Sequence, residues 1–280
     1  MIRLALLGRP VVHSRSPAMM RAAFAAMGVE GAYVPFDIAP EGLGDAVRAL
    51  VALGFDGANV TVPHKVAVMA HLAATDADAR LAGAVNTLVR TGDGFVGYNT
   101  DIAGLREALA HGGASAQGEA AVVLGAGGAA RAAAVALVRD GATRVDVVAR
   151  RFPEALALVE VVERAGAAGR AHRLGDASVS NALGAARVVV QATSCGMTGG
   201  GDTSELLAGA DLRACGAGAV AVDLVYAPAV TPWMHAAEAA GMRVLAGAGA
   251  RMLAGQGAAA LARWTGREAP IDVMRAALGL

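Results

Sequence analysis

The stretch AAVVLGAGGAARAAAVALVRDGATRVDVVARR, Ala120 to Arg151, constrains this chain more than any other. It opens on an apolar run, Ala121–Leu124, whose length suits a buried strand. A glycine-rich turn follows with no spacer. An alanine-rich helical segment then runs to Asp140-Gly141, and a second β-rich run comes after it. Gly125, Gly127 and Ala130 fit the pattern G-x-G-x-x-A. Each position has a physical task in a strand–turn–helix unit. The first glycine permits the tight turn, the second lets backbone approach a ligand, and the alanine lets helix and strand pack closely. The unpaired N–H groups at the helix start, with the helix dipole, favour an anion. The unit predicts a parallel βαβ fold of the kind that seats a dinucleotide pyrophosphate.

The tip of the second strand narrows the ligand. Sites for NAD carry an acidic residue there, which accepts from the ribose 2′-hydroxyl. This chain has Arg150 and Arg151, and no Asp or Glu until Glu154. A guanidinium stacks on adenine and holds phosphate through charge-assisted bonds. The pair therefore predicts NADP, with its extra 2′-phosphate, over NAD.

Composition agrees with this reading and excludes others. The 280 residues suffice for two domains. Apolar residues make up 55 %, aromatics only 4 %, and 37 glycines supply short turns, the profile of an α/β protein. Lys+Arg and Asp+Glu stand at 24 each, so no excess charge directs the chain to nucleic acid or to an anionic membrane. The opening MIRLALLGRP reads as a first strand and not a secretion signal. No stretch reaches the ~18 apolar residues of a membrane span. Cys195 and Cys215 are too few for a disulfide framework and read as reduced thiols in a cytoplasmic protein. No Cys/His cluster has metal-ligand spacing, so no metal is expected.

Short β-type runs alternate with helical patterns along the whole chain, which predicts parallel sheets covered by helices. In the first third, strands are expected at Ile2–Leu7, Tyr33–Ile38 and Gly57–Val62, and helices at Pro17–Met27, Gly42–Leu53 and Val66–Ala73. Ser16 suits the N-cap of the first helix and Pro17 its first turn. VNTLVRTGDGFVGYN reads as a hairpin turning at Thr91-Gly92-Asp93-Gly94. Beyond the glycine turn, strands are expected at Arg187–Ala192, Ala219–Val225 and Met242–Leu245, and a helical tail from about Gly247. The expected domains are residues 1–101, onto which 247–280 pack back, and residues 102–246.

Other motifs are candidates for a substrate site. HSRSP, His13 to Pro17, follows the first strand and leads into a helix; two serines two apart suit a small carboxylate. NVTVPHK, Asn59 to Lys65, ends a strand and presents Thr61 and Lys65. AVNTL, Ala84 to Leu88, and GYNTD, Gly97 to Asp101, place polar groups amid apolar ones. Further on come QATSCGM (Gln191–Met197), DLVYAP (Asp223–Pro228) and GARMLAGQGAAALARWTG (Gly249–Gly266). In the last of these, Leu253, Ala260, Leu261 and Trp264 have core spacing and Gln256 is the polar exception. Cys195 lacks a histidine arrangement that would make it a nucleophile.

Taken in order, these motifs closely resemble the shikimate dehydrogenase family, nearly end to end. The resemblance implies an α/β fold of two domains: an N-terminal substrate domain completed by the C-terminal helices, and a Rossmann-type NADP domain, with the substrate in the cleft between them. It implies reversible NADPH-linked reduction of 3-dehydroshikimate to shikimate, a step toward chorismate and the aromatic amino acids. Carried onto this chain, Ser14 and Ser16 would hold the substrate carboxylate. Thr61, Asn86, Asp101 and Gln256 would hold ring hydroxyls, and Tyr226 would lie near substrate and nicotinamide. Lys65, paired with Asp101, would donate and accept the proton. Gly125, Ala126, Gly127, Gly128 and Ala129 would form the phosphate loop. Arg150, with Arg151, would meet the 2′-phosphate, and Thr193, Gly249 and Met252 would complete the cofactor site.

The chain departs from the family pattern in three places. Ala149-Arg150-Arg151 replaces Asn-Arg-Thr at the strand tip. Gln191 replaces an asparagine, which puts a contact near the nicotinamide in question. MMRAAF, Met19 to Phe24, replaces a His-Asn pair and is expected to be a packing change. His13 is expected to support the serine loop and His64 to be exposed.

Carbonyl reduction needs a hydride, which a nicotinamide supplies, and a proton, which a partly desolvated lysine can supply. Asp101 nearby favours the charged amine instead, and the alternative reading is that Lys65 mainly polarises the carbonyl and holds substrate. The same fold also accommodates quinate or aminoshikimate dehydrogenases, but both serines and a basic cofactor tip favour shikimate. A non-catalytic metabolite sensor would lack Lys65 or Asp101 and would add a DNA-binding segment. The expected protein is a monomer or homodimer acting on a small molecule, without nucleic-acid or membrane partners.

Overall fold

The apolar run Ile2–Gly8 forms β1, the strand on which the first sheet is assembled. The computed structural model describes residues 1–92 and 94–280. The chain divides into two units, one of Met1–Gly104 with Leu253–Leu280 and one of Leu105–Met252. In the first unit, β2 (Gly31–Asp37) and β3 (Gly57–Val60) flank β1, both parallel to it. The short β4 (Ala74–Thr75), β5 (Thr87–Thr91) and β6 (Gly94–Tyr98) complete the order β2-β1-β3-β5-β6-β4 among the described residues. β5 runs antiparallel to both β3 and β6. Its first residue therefore shares a sheet edge with the ends of β1, β3 and β6, and that edge gathers the polar motifs. Pro35, which has no N–H to give a ladder, sits in β2 at the sheet margin.

Side chains alternate across this sheet with period two. Ala5 and Leu7 pack with Leu43, Val47 and Leu50 of α2 (Leu43–Ala52). Leu4 faces the other way, toward Met19, Met20 and Phe24 of α1 (Ser16–Met27). α1 stops at Gly28, whose φ of +62° lets its N–H bond back to the helix. A short α3 (Ala77–Ala82), capped by the Asp76 carboxylate, precedes β5.

The second unit opens on α4 (Asp101–His111), whose first turn belongs to the first unit. Then follow β7 (Ala120–Leu124), α5 (Gly128–Arg139), β8 (Arg144–Ala149), α6 (Phe152–Ala165), β9 (Ala168–Arg173), α7 (Ser178–Gly184), β10 (Ala186–Gln191), α8 (Ser204–Gly209), β11 (Val220–Asp223), α9 (Pro232–Ala239) and β12 (Arg243–Val244). All six strands pair in parallel, in the order β12-β11-β10-β7-β8-β9. Counted within the unit this is 3-2-1-4-5-6, the doubly wound dinucleotide-binding order, which reverses between β7 and β10. β7 is buried throughout, so it reads as a continuous apolar run and not as an alternation. Asp146 is buried within β8, where Arg144 Nε at 2.8 Å and His172 Nε2 at 2.8 Å satisfy it.

The chain returns to the first unit through α10 (Ala248–Thr265) and ends on α11 (Ile271–Ala277). Here α10 lies very close to its neighbours. A Cβ on Gly257 would fall 2.4 Å from Met19 Cε, so the methionines of MMRAAF fill space against this helix and the departure is one of packing. Trp264 Nε1 donates to Leu88 O at 2.8 Å across the start of β3.

Several local expectations need correction. The Val66–Ala73 helix is a 3₁₀ turn, Ala67–His71, followed by β4. Ala73 N–H bonds Phe95 O at 3.0 Å, and this pulls the chain into the sheet before an α-turn can close. The third strand ends at Val60 because the chain turns at once, with His64 N–H on Thr61 O at 2.9 Å. The N-cap of α1 is Arg15, and Ser16 is its first helical residue. The Ser14 hydroxyl, 3.3 Å from Ser16 N–H, acts there instead. His64 is buried, its ring Nε2 2.7 Å from Ile38 O. Asp93 of the expected hairpin turn lies outside the described residues.

Gly57 should be the least replaceable position of the first sheet. A Cβ there would stand 2.1 Å from Trp264 Nε1 and 2.6 Å from Leu88 O. Gly57→Ala is expected to lower the unfolding free energy by about 1–3 kcal/mol in urea titration and to shift Trp264 emission. Gly42→Ala, where the nearest atom is 3.8 Å away, should stay within about 0.5 kcal/mol of the parent.

Candidate functional site

Asn86 immediately precedes β5 and is held on both sides by backbone. Its C=O accepts from Val60 N–H at 2.8 Å and its N–H donates to Tyr98 O at 3.0 Å. Next to it, Val85 N–H donates to Lys65 O at 2.7 Å, which seats Lys65 alongside. The buried Asn86 side chain then organises the cluster. Its Oδ1 accepts from Thr100 N–H at 2.7 Å and lies 3.1 Å from the hydroxyls of Thr87 and Thr100. Its Nδ2 lies 2.9 Å from Thr100 Oγ1, 2.9 Å from Asp101 Oδ1 and 3.2 Å from Gln256 Oε1.

Lys65 Nζ donates to Asp101 Oδ2 at 2.7 Å, and the two side chains are 13 % and 4 % exposed. Each Asp101 oxygen thus has a fixed donor, one from Lys65 and one from Asn86. An ammonium has three donors; with one on Asp101, two are left for a ligand oxygen or water. Gln256 Nε2 donates to Leu253 O at 2.9 Å, which turns its carbonyl toward Asn86.

Of the expected substrate residues, Lys65, Asn86, Asp101 and Gln256 form one hydrogen-bonded set. Ser14 lies in the loop after β1, Ser16 opens α1 directly behind it, and Thr61 lies in the loop after β3, at the same sheet edge. Ser16 is buried, and Thr61 N–H is tied to Leu7 O at 2.8 Å. Sequence reasoning quoted Asn59, Thr87 and Thr100 within motifs but gave them no task. Asn59 Nδ2 donates to Asn86 O at 3.0 Å, and Tyr33 OH donates to Asn59 Oδ1 at 2.8 Å. These residues fix the amide that fixes Asp101.

The glycine turn of the second unit lies at the end of β7, where the strand order reverses. Gly125 has φ +114°, and a Cβ there would lie 3.1 Å from Thr193 Cγ2. A Cβ on Gly127, which caps α5, would meet nothing within 4 Å, so its backbone faces open space. A free helix N-terminus beside such a turn fits a dinucleotide diphosphate. Arg150 and Arg151 follow β8 directly and are exposed, which fits the 2′-phosphate of NADP. Gly249 has a packing reason as well. A Cβ there would stand 2.6 Å from Leu224 O, so only glycine lets α10 start this close to the end of β11.

The Gln191 departure is absorbed structurally. Gln191 is fully buried, its Oε1 accepts from Thr193 Oγ1 at 2.8 Å, and its Nε2 donates to Cys195 O at 3.1 Å. Asp223, at the end of β11, accepts from Thr231 Oγ1 at 2.6 Å, Val225 N–H at 2.9 Å and Gln191 Nε2 at 3.3 Å. These two side chains set the paths of the Thr193 and Tyr226 loops. Burial pushes the Asp223 carboxyl up to about 6, against the opposing pull of its bonds from Thr231 and Val225. Burial likewise pushes the Cys215 thiol up to about 11, which disfavours the reactive thiolate. Among the described residues there is no His/Cys/Asp/Glu group able to hold a metal and no helix long and apolar enough to cross a membrane.

A doubly wound sheet with a glycine turn at its reversal point, and a separate lysine–carboxylate–amide cluster, place the chain among two-unit α/β proteins that bind dinucleotides. Residues 6–88 match the family model of the shikimate dehydrogenase substrate binding domain, and residues 249–278 that of the shikimate 5′-dehydrogenase C-terminal domain. The NADP⁺ shikimate dehydrogenase of Moorella thermoacetica is 45 % identical over 98 % of this chain and 92 % of its own length. The structure of shikimate 5-dehydrogenase from Thermus thermophilus, in complex with NADP(H) and shikimate, superposes with a TM-score of 0.84 at 37 % identity, covering 100 % of this chain and 99 % of the other. Quinate dehydrogenase from Corynebacterium glutamicum, in complex with NAD, gives 0.84 at 32 % identity with the same coverage of both chains. The chain belongs to the shikimate dehydrogenase family.

The raised Asp223 value makes stability depend on pH. The unfolded chain loses this proton near the ordinary 3.8 and the folded chain near about 6, so the fold binds more protons between them. Stability contributed by Asp223 should therefore fall as pH rises from about 4 to about 6 and then level off. Urea unfolding of the parent and of Asp223→Asn across this window should show the parent losing stability relative to the variant. A difference that does not change with pH would mean that Asp223 titrates in the fold as it does unfolded.

Proposed function

We propose that this chain is an NADP-dependent shikimate dehydrogenase, which reversibly reduces 3-dehydroshikimate to shikimate. The observation that carries the reading is the partly buried Lys65–Asp101 contact of 2.7 Å, with Asn86 and Gln256 around it. The first unit holds substrate and the second holds cofactor. Ser14 and Ser16 bind the substrate carboxylate. Thr61, Asn86, Asp101 and Gln256 accept from or donate to ring hydroxyls. Gly125 to Ala129 cradle the diphosphate, Arg150 and Arg151 take the 2′-phosphate, and Thr193, Gly249 and Met252 line the nicotinamide end.

NADPH, when bound, supplies the hydride. The chain's own residues handle the proton. Asp101 holds the Lys65 ammonium in place and stabilises its charge. A free N–H of Lys65 donates to the carbonyl oxygen as negative charge develops there, leaving a neutral amine and the alcohol. Lys65 keeps 13 % exposure, which allows it to regain a proton from solvent. In the reverse direction the neutral amine accepts the hydroxyl proton. The two unpaired thiols support a cytoplasmic protein, and the balanced net charge supports a small-molecule partner over nucleic acid.

Purified protein assayed for reduced-cofactor formation with shikimate or quinate, each with NADP⁺ or NAD⁺, tests the reading. Shikimate with NADP⁺ should give the highest kcat/KM, at least about tenfold above shikimate with NAD⁺. Fastest turnover with quinate and NAD⁺ would move the chain to the quinate dehydrogenases. Absence of turnover in all four pairs would leave a binding protein.

A further inference from the structure

Arg150 does not stand free at the strand tip. Its Nη1 lies 3.2 Å from Oε2 of Glu205, on the first turn of α8, and both side chains are well exposed, 69 % and 65 %. Arg151 is paired separately, with Glu154 on its own helix at 3.0 Å. The two carboxylates differ in origin. Glu154 is three residues from its partner, whereas Glu205 comes from a different element, 55 residues on. Its placement is anchored by the fold. The flanking Thr203 and Leu206 are buried, Leu206 within the core under β10 and β11, and Leu207 N–H bonds Thr203 O at 2.9 Å.

We propose that Glu205 is a specificity-determining residue: its carboxylate occupies Arg150 in place of the cofactor 2′-phosphate and sets how strongly the site prefers NADP over NAD. This rests on the reading of Arg150 as the 2′-phosphate contact. A phosphate and a carboxylate compete for the same guanidinium donors. An exposed ion pair holds weakly, so Glu205 does not close the site to phosphate, but its charge stays close and repels a phosphate dianion. NAD carries a 2′-hydroxyl instead. For it, Glu205 supplies from α8 the acceptor that dinucleotide folds usually place at the strand tip. Glu205 thus weakens NADP and aids NAD at a single position.

Calorimetric titration of the full chain with NADP⁺, NAD⁺ and 2′,5′-ADP tests this without turnover. Glu205→Gln should tighten NADP⁺ and 2′,5′-ADP about three- to tenfold and weaken NAD⁺. The gain should shrink as salt screens the repulsion. An unchanged ratio of NADP⁺ to NAD⁺ affinities, or a weaker NADP⁺, would overturn the proposal, the second because Glu205 would then be supporting Arg150. Arg150→Ala separates the two levels. If it weakens NADP⁺ alone while Glu205→Gln leaves the ratio unchanged, only the role of Glu205 falls. If it weakens both cofactors equally, the phosphate site falls, and this inference with it.

Discussion

The side-chain amide of Asn86 is the constraint on which the first unit depends. It is buried where the end of β3, the start of β5 and the end of β6 come together, and it answers Thr100, Asp101 and Gln256 at once. A buried hydrogen bond is worth only about 0.5–1.5 kcal/mol net, but leaving a buried group unmet costs about 1–3 kcal/mol. Most of the value of Asn86 is therefore in what its loss would orphan: the Thr100 N–H and one oxygen of Asp101. Its amide has two protons and three acceptors within 3.2 Å, so the acceptors share them, and Gln256, the farthest, is the one free to turn to a ligand. Asn59, Thr87 and Tyr33 form the layer that keeps the amide from turning.

The second unit rests on a backbone constraint instead. Strand order reverses between β7 and β10, and Gly125 occupies that point in a conformation that L side chains rarely adopt. Bringing Thr193 against it requires the loop after β10 to be held, and Gln191 with Asp223 does this from the ends of two adjacent strands. A glutamine in place of an asparagine is tolerable there because its longer amide reaches both Thr193 and Cys195.

The sequence made legible what depends on local chemistry. The glycine turn, the buried strand before it, the arginines at the tip and the polar motifs at strand ends all follow from residue type and spacing. What it hid depends on tertiary partners. β9 has the sequence AGRAHR, without a β-branched residue, and exists because β8 offers it a partner strand. The 3₁₀ turn before β4 follows from one bond to Phe95. His64 reads as a surface residue until the carbonyl of Ile38 is seen over it. Of the candidate site, the first layer was readable because each member lies in a motif. Glu205 carries no motif, and its nearness to Arg150 comes from the folding of a segment 55 residues away.

In the proposed reaction Lys65, held by Asp101, moves the proton. This is checked by kcat of Lys65→Met, with shikimate and NADP⁺ affinities and urea unfolding measured on the same protein. Methionine keeps a stem of similar length and removes the ammonium. Asp101 keeps its bond from Asn86 in the variant. A folded protein with near-normal affinities is expected, its kcat lower by about 10²–10⁴. A Lys65→Met protein that turns over at close to the parent rate would contradict it and remove the lysine from the chemistry.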